Sequence, residues 1–167
     1  MSADIIGYGR ISSVTSYEDM TNQENRLMLQ RRVSMSLDFY INVPVEGYYK
    51  RENGRTIFHP IENGKHELML VDGITHNLGD MAMNVPVSDS LTLYNVLWRP
   101  EESNLNTTDD ILEYVEAGVK YMKSHKEELL KFNPSNGWGD YDGLLGFARR
   151  VGAACVFNPK CKIDANR

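Results

Sequence analysis

Apolar and polar residues alternate between residues 33 and 43, with the apolar side chains at the odd-numbered positions. A period of two is typical of a strand with one face buried, as in an antiparallel sheet. Three more runs follow at residues 47–52, 55–62 and 65–72, separated by Asn53-Gly54 and Asn63-Gly64. Asn-Gly favours the type I′ hairpin turn because both of its central residues need a positive φ. Residues 32–72 are therefore predicted to form an antiparallel β-meander.

The two-residue turns would also set the register of this meander, because each turn fixes which residues face each other. Apolar side chains fall on both faces of the predicted sheet. We expect helices to cover one face, and either the N-terminal segment or a partner subunit to cover the other. The facing pairs predicted from the turns are Glu52 with Arg55, Tyr49 with Phe58, Ile61 with His66, and His59 with Leu68.

After residue 73 the apolar spacing changes to the three-and-four pattern of helices. A short helix is predicted to begin at the N-cap Thr75 and to end before Pro86, and a second short helix to begin at Ser88 or Asp89. Two longer helices are predicted over residues 108–131 and 140–156, each with one apolar stripe. The prediction is an α+β fold, an antiparallel β-meander with two short and two longer helices packed on one of its faces.

The chain is predicted to be a single domain over residues 1–167, since it contains no repeat, linker or low-complexity tract. Its parts are an N-terminal segment at residues 1–31, the β-meander at 32–72 and a helical part at 74–157. The N-terminal segment fits either a helix or an extension of the first strand. Its sequence pattern leaves both readings open.

The amino-acid composition limits the classes of protein to which the chain can belong. Apolar residues make up 41% and charged residues 25%, which is ordinary for a globular domain. A net charge of −5 disfavours a nucleic-acid partner, which would call for a basic surface. The N-terminus lacks a signal-peptide pattern, and no run of about 18 apolar residues is present, so we expect no membrane association and a cytoplasmic location. Cys155 and Cys161 are expected to be reduced thiols.

Three predicted loops carry polar and aromatic side chains of types that bind rather than react. If they converge at the junction of sheet and helices, the protein is a nonenzymatic binding module for a small polar molecule, a short peptide or a partner protein. No catalytic residue and no cofactor are expected. Two simpler interpretations remain, in which Trp138 fills a gap between helices and Arg99 pairs with a nearby acid. The candidate ligand-binding residues are Thr75, His76, Asn77, Trp98, Arg99, Asn136 and Trp138.

Two other classes of function remain open. Asp72, His76 and Asp80 follow one another at spacings of four, so they form a candidate site for a metal-dependent hydrolase. Alternatively, the protein is a structural homo-oligomer that buries the second sheet face between subunits. The sequence lacks a phosphate-binding GxxxxGK[ST] motif and a GxSxG nucleophile motif.

Three segments of the helical part, at residues 74–78, 97–102 and 132–139, form a recognisable pattern. They read Ile-Thr-His-Asn-Leu, Leu-Trp-Arg-Pro-Glu-Glu and Phe-Asn-Pro-Ser-Asn-Gly-Trp-Gly. Over residues 74–157 the chain resembles a family of small uncharacterised proteins that is common in bacteriophage and bacterial genomes. The resemblance implies a phage-type accessory protein that acts in the host cytoplasm. It implies no particular activity.

Overall fold

The alternating run at the start of the sheet forms strand β1, Ser36–Pro44, in the computed structural model, which describes residues 36–167. The odd-numbered residues Leu37, Phe39 and Ile41 are fully buried, so the period of two is confirmed. β1 lies at the centre of a three-stranded antiparallel sheet, between β4, His66–Thr75, and β5, Lys162–Asn166. The prediction for residues 1–31 concerns a segment outside the described residues.

The first predicted hairpin is confirmed. Strands β2, Gly47–Glu52, and β3, Arg55–Pro60, pair antiparallel, with Tyr49 opposite Phe58 and Glu52 opposite Arg55. Asn53 and Gly54 both have a positive φ, 49° and 79°, as a type I′ turn requires. The dipeptide therefore sets both the turn and the register of this pair.

The second predicted hairpin is wrong, because β4 pairs with β1 and not with β3. Leu68 lies opposite Asn42 and His66 opposite Pro44, so neither faces His59 or Ile61. At Asn63-Gly64 only Asn63 has a positive φ, and the N–H of Gly64 donates to the carbonyl of Ile61, which makes a local turn within a loop. The β2–β3 hairpin continues the β1–β4 pair, since β1 leads into β2 and β3 leads back into β4. The four strands therefore form one long two-stranded ribbon.

The helical part follows the predicted order with more interruptions. Thr75 caps a 3-10 turn, and its Oγ1 accepts from the N–H of Asn77, as predicted. None of the described helices is long and apolar enough to cross a membrane. The helices are α1, Gly79–Met83; α2, Leu93–Leu97; α3, Thr108–Ser124; α4, Lys126–Leu129; and α5, Tyr141–Phe157, with 3-10 turns at His76–Leu78, Pro100–Ser103 and Leu130–Phe132.

Two helix boundaries differ from the prediction. α2 begins after Thr92, whose N–H donates to Asn95 Oδ1 at 2.9 Å, whereas Ser88 accepts from Leu91 in a turn before the helix. The predicted helix over residues 108–131 is interrupted at His125, whose φ of −121° is not helical. The start of α5 is confirmed, since Asp140 Oδ1 accepts from the N–H of Gly143 at 2.7 Å.

The helices and the buried face of the sheet share one hydrophobic core. Leu37, Phe39 and Ile41 from β1 meet apolar side chains from α1, α2, α3 and α5 there. Trp98 is buried in this core and packs against Phe147 with ring centroids 6.3 Å apart. The α+β class and the packing of the helices on one face are as predicted, and β5 is an addition that the sequence pattern did not indicate.

Candidate functional site

Two segments that are far apart in sequence lie side by side at the end of β4. They are the 3-10 turn after Thr75 and the loop over residues 133–139. Gly139 brings them together, since a Cβ atom at this position would lie 2.8 Å from both Leu78 Cδ1 and Thr75 Cγ2. Gly139 also has a φ of +90°, which only glycine adopts readily. The convergence of these two predicted loops therefore depends on this glycine.

An open cleft of about 550 Å³ lies between these segments. It includes three of the predicted ligand-binding residues, His76, Asn77 and Asn136. The other six were not predicted to bind a ligand. Asp80 was a candidate metal ligand, and the remaining five lie in the loop at residues 133–139 or directly before it. The lining residues are His76, Asn77, Asp80, Lys131, Phe132, Asn133, Pro134, Ser135 and Asn136.

The loop side of the cleft is held in shape by its own asparagines. Asn133 Oδ1 accepts from the N–H of Tyr141 at 2.8 Å, and Asn136 Oδ1 accepts from the N–H of Trp138 at 3.0 Å. Each side chain thus uses its carbonyl oxygen to fix the backbone. Within the part of the chain that the structure describes, nothing accepts from the amide NH₂ of Asn133 or Asn136. These groups retain donors for a ligand.

His76 joins the cleft to the core. The indole Nε1–H of Trp98 donates to His76 Nδ1 at 3.1 Å. Because an indole nitrogen only donates, Nδ1 must accept, and the imidazole is neutral with its proton on Nε2. Burial lowers the pKa of His76; a hydrogen bond with the backbone of Ser36 opposes this shift, and the charges of Arg167 and Arg99 add to it. His76 is therefore a neutral group whose Nδ1 is already engaged.

Trp98 and Arg99 lie outside the cleft lining. Trp98 is 1% exposed and stacks on Tyr94 with ring centroids 5.5 Å apart, so its indole belongs to the core. Arg99 Nη1 pairs with Glu102 Oε1 at 3.0 Å, so Arg99 pairs with a nearby acid as its simpler interpretation predicts. Trp98 reaches the cleft only indirectly, by its hydrogen bond to His76.

Trp138 has the opposite environment. Its side chain is 56% exposed, whereas the simpler interpretation of the sequence has it fill a gap between helices. The residue lies two positions after Asn136, which lines the cleft, and directly before Gly139, which contacts Thr75 and Leu78. The exposed indole is therefore carried by the loop that forms one side of the cleft.

Two of the three candidate metal ligands, Asp72 and His76, are engaged by other side chains, and Asp80 lines the cleft. Arg150 donates from Nε and Nη2 to Asp72 Oδ2 at 2.6 and 2.5 Å, and His76 accepts from Trp98. Between residues 36 and 167 there is no group of three His, Cys, Asp or Glu side chains that could hold a metal ion.

Both cysteines are free and buried, and burial raises the pKa of the Cys155 thiol to about 12, so that thiol is protonated at neutral pH.

Comparison of the chain with known protein families, with curated proteins and with solved structures finds no match.

Proposed function

We propose that the protein is a nonenzymatic binding module whose cleft between the 3-10 turn at residues 76–78 and the loop at residues 131–136 holds a small polar ligand. One observation carries this proposal: two segments more than fifty residues apart in sequence meet at a cleft of about 550 Å³. Ligand pockets in proteins commonly have volumes of about 300–1,000 Å³. The cleft is large enough for a molecule of the size of an amino acid, a monosaccharide or a nucleoside.

The residues at the cleft favour a neutral or zwitterionic ligand. Asn77, Asn133 and Asn136 supply amides, which both donate and accept hydrogen bonds. Asp80 and Lys131 add one carboxylate and one ammonium, so the two charges cancel. The exposed indole of Trp138 offers an apolar surface on which a planar or ring-shaped ligand could stack.

Binding is favoured over catalysis by the state of the reactive groups. His76 Nδ1 accepts the indole proton of Trp98 and has a lowered pKa, so this imidazole is a poor general base. The thiols are buried and protonated. The chain resembles phage-encoded proteins over residues 74–157. On this ground we propose that it acts in the host cytoplasm as an accessory protein.

The proposal is tested by a thermal-shift screen with amino acids, sugars and nucleosides, followed by calorimetric titration of each hit. Asn136→Asp keeps the oxygen that accepts from Trp138 but removes the amide donor, so we expect weaker binding in a folded protein. Asn63→Asp makes the same change at an exposed loop position outside the cleft lining and is the matched control. A hit whose affinity is the same in wild type and Asn136→Asp, or a screen without any hit, would count against the cleft.

A further inference from the structure

The ribbon formed by β1–β2 and β3–β4 extends beyond the hydrophobic core. Its outer part, residues 45–70, is called the arm here and comprises β2, β3 and the first half of β4. None of its residues is buried, whereas Ile41 in β1 and Ile74 in β4 belong to the core. A two-stranded ribbon without a core is marginally stable in water. A surface that covers the arm would therefore stabilise it.

Apolar side chains are concentrated on this arm. Leu68 is 61% exposed and Leu70 is 53% exposed. They lie opposite Asn42 and Tyr40 of β1, on the sheet face that points away from the buried Phe39 and Ile41. Single exposed apolar residues are common on proteins, but a contiguous group of them marks an interaction surface. The hairpin adds further exposed apolar residues, with Tyr48 and Ile57 on one of its faces and Tyr49 on the other, and Ile61 follows in the loop after β3.

The arm also presents a free strand edge. β4 lies at one end of the order β4-β1-β5, and among residues 36–167 only β1 pairs with it. The backbone N–H and C=O groups along its other edge have no strand partner in this part of the chain. Such an edge readily adds a further strand.

The charge balance of the arm favours a second copy of the chain as its partner. Four basic residues and four acidic residues lie in it, so its net charge is zero, although the whole chain carries −5. A surface that recognises a strongly acidic or basic partner would carry one sign of charge. A neutral surface of mixed sign meets no net repulsion when it faces a copy of itself, which is the requirement of a two-fold interface. The acidic residues are Glu46, Glu52, Glu62 and Glu67, and the basic residues are Lys50, Arg51, Arg55 and Lys65.

We propose that the arm is a self-association surface, on which the free edges of β4 from two copies pair antiparallel about a two-fold axis. The sheets of the two copies would then be continuous, and Leu68 and Leu70 of each copy would pack against the same residues of the other. The cleft residues at 76–80 and 131–136 lie outside the arm. The proposed dimer interface therefore shares no residue with the proposed ligand site.

The test is the mass in solution of the full chain, measured by sedimentation over about three orders of magnitude in concentration. We expect wild type to reach twice the 19.0 kDa mass of one chain. The double variant Leu68→Lys/Leu70→Lys places like charges in the interface, so its dissociation constant should rise by at least about 100-fold. Phe157→Lys, at an 82% exposed position on α5, is the matched control and should leave the dimer unchanged.

Hydrogen exchange on wild type provides a second readout that needs no variant. The amides of β4 over residues 67–70 should become more protected as the protein concentration rises. A wild-type protein that is monomeric throughout, a double variant that stays dimeric, or β4 protection that does not change with concentration would each overturn the proposal.

Discussion

The two tryptophans of the chain are expected to respond in opposite ways to truncation. Trp98 is 1% exposed, packs between Tyr94 and Phe147, and donates its indole N–H to His76. Trp98→Ala removes these contacts and leaves a cavity, and truncation of a buried large aromatic costs about 3–5 kcal/mol of unfolding free energy. The lost hydrogen bond leaves His76 Nδ1 without its donor and adds about 1 kcal/mol.

Trp138 is the internal control for this measurement, because the same substitution is made at a 56% exposed position. Its backbone N–H bond to Asn136 does not depend on the side chain. Trp138→Ala should therefore cost about 1 kcal/mol or less, as surface substitutions usually do. If the indole covers a bound ligand, the affinity should fall while the fold persists.

Urea denaturation of wild type and both variants, followed by circular dichroism, measures the two losses on one scale. A loss at Trp138 that equals or exceeds the loss at Trp98 would refute the assignment of Trp98 to the core and of Trp138 to the loop surface. Equal small losses at both positions would refute the energetic role given to Trp98.

Two further predictions concern the residues that shape the cleft. The free energy of unfolding should fall as the pH drops below about 6.5, because the unfolded chain then takes up a proton that His76, with its lowered pKa in the folded protein, does not. His76→Asn keeps an acceptor for Trp98 and should lack this step in urea midpoints measured across pH; a step of equal size in the variant would contradict the assignment. Gly139→Ala should lower the free energy of unfolding by more than about 1–3 kcal/mol. The alanine would be strained by the positive φ, and its Cβ would also lie 2.8 Å from Thr75 and Leu78. Gly137→Ala is the matched control, because its φ is +71° but a Cβ there meets nothing within 4 Å; equal losses in thermal melts of the two variants would show that the close approach is unimportant.

Local signals in the sequence predicted the elements that depend on local interactions. The alternation in β1, the Asn53-Gly54 turn, the cap at Thr75 and the start of the last helix at residue 140 each need only neighbouring residues, and each is confirmed. The Asn63-Gly64 dipeptide failed as a hairpin signal because β4 completes the core beside β1, where Ile74 lies opposite Leu37. That choice is made by long-range packing.

The candidate site shows the same division. His76, Asn77 and Asn136 were recognisable as polar residues in predicted loops, and they meet at the cleft. The sequence did not indicate that Trp98 is buried and Trp138 exposed. Both residues lie next to turn-forming residues, and neither local pattern shows which indole enters the core. β5 was missed for a related reason: its five residues contain only Ile163 and Ala165 as apolar positions, and pairing with β1 determines its structure.

The most direct test of the ligand-binding cleft is a set of proton–nitrogen correlation spectra recorded while a screen hit is added. The proposed function predicts that the side-chain amide signals of Asn77, Asn133 and Asn136 shift in a saturable manner, together with the indole signal of Trp138. The indole signal of Trp98 should shift little, because that group is buried and bonded to His76. Saturable shifts confined to residues outside the cleft, with these asparagine signals unchanged, would contradict the proposed site.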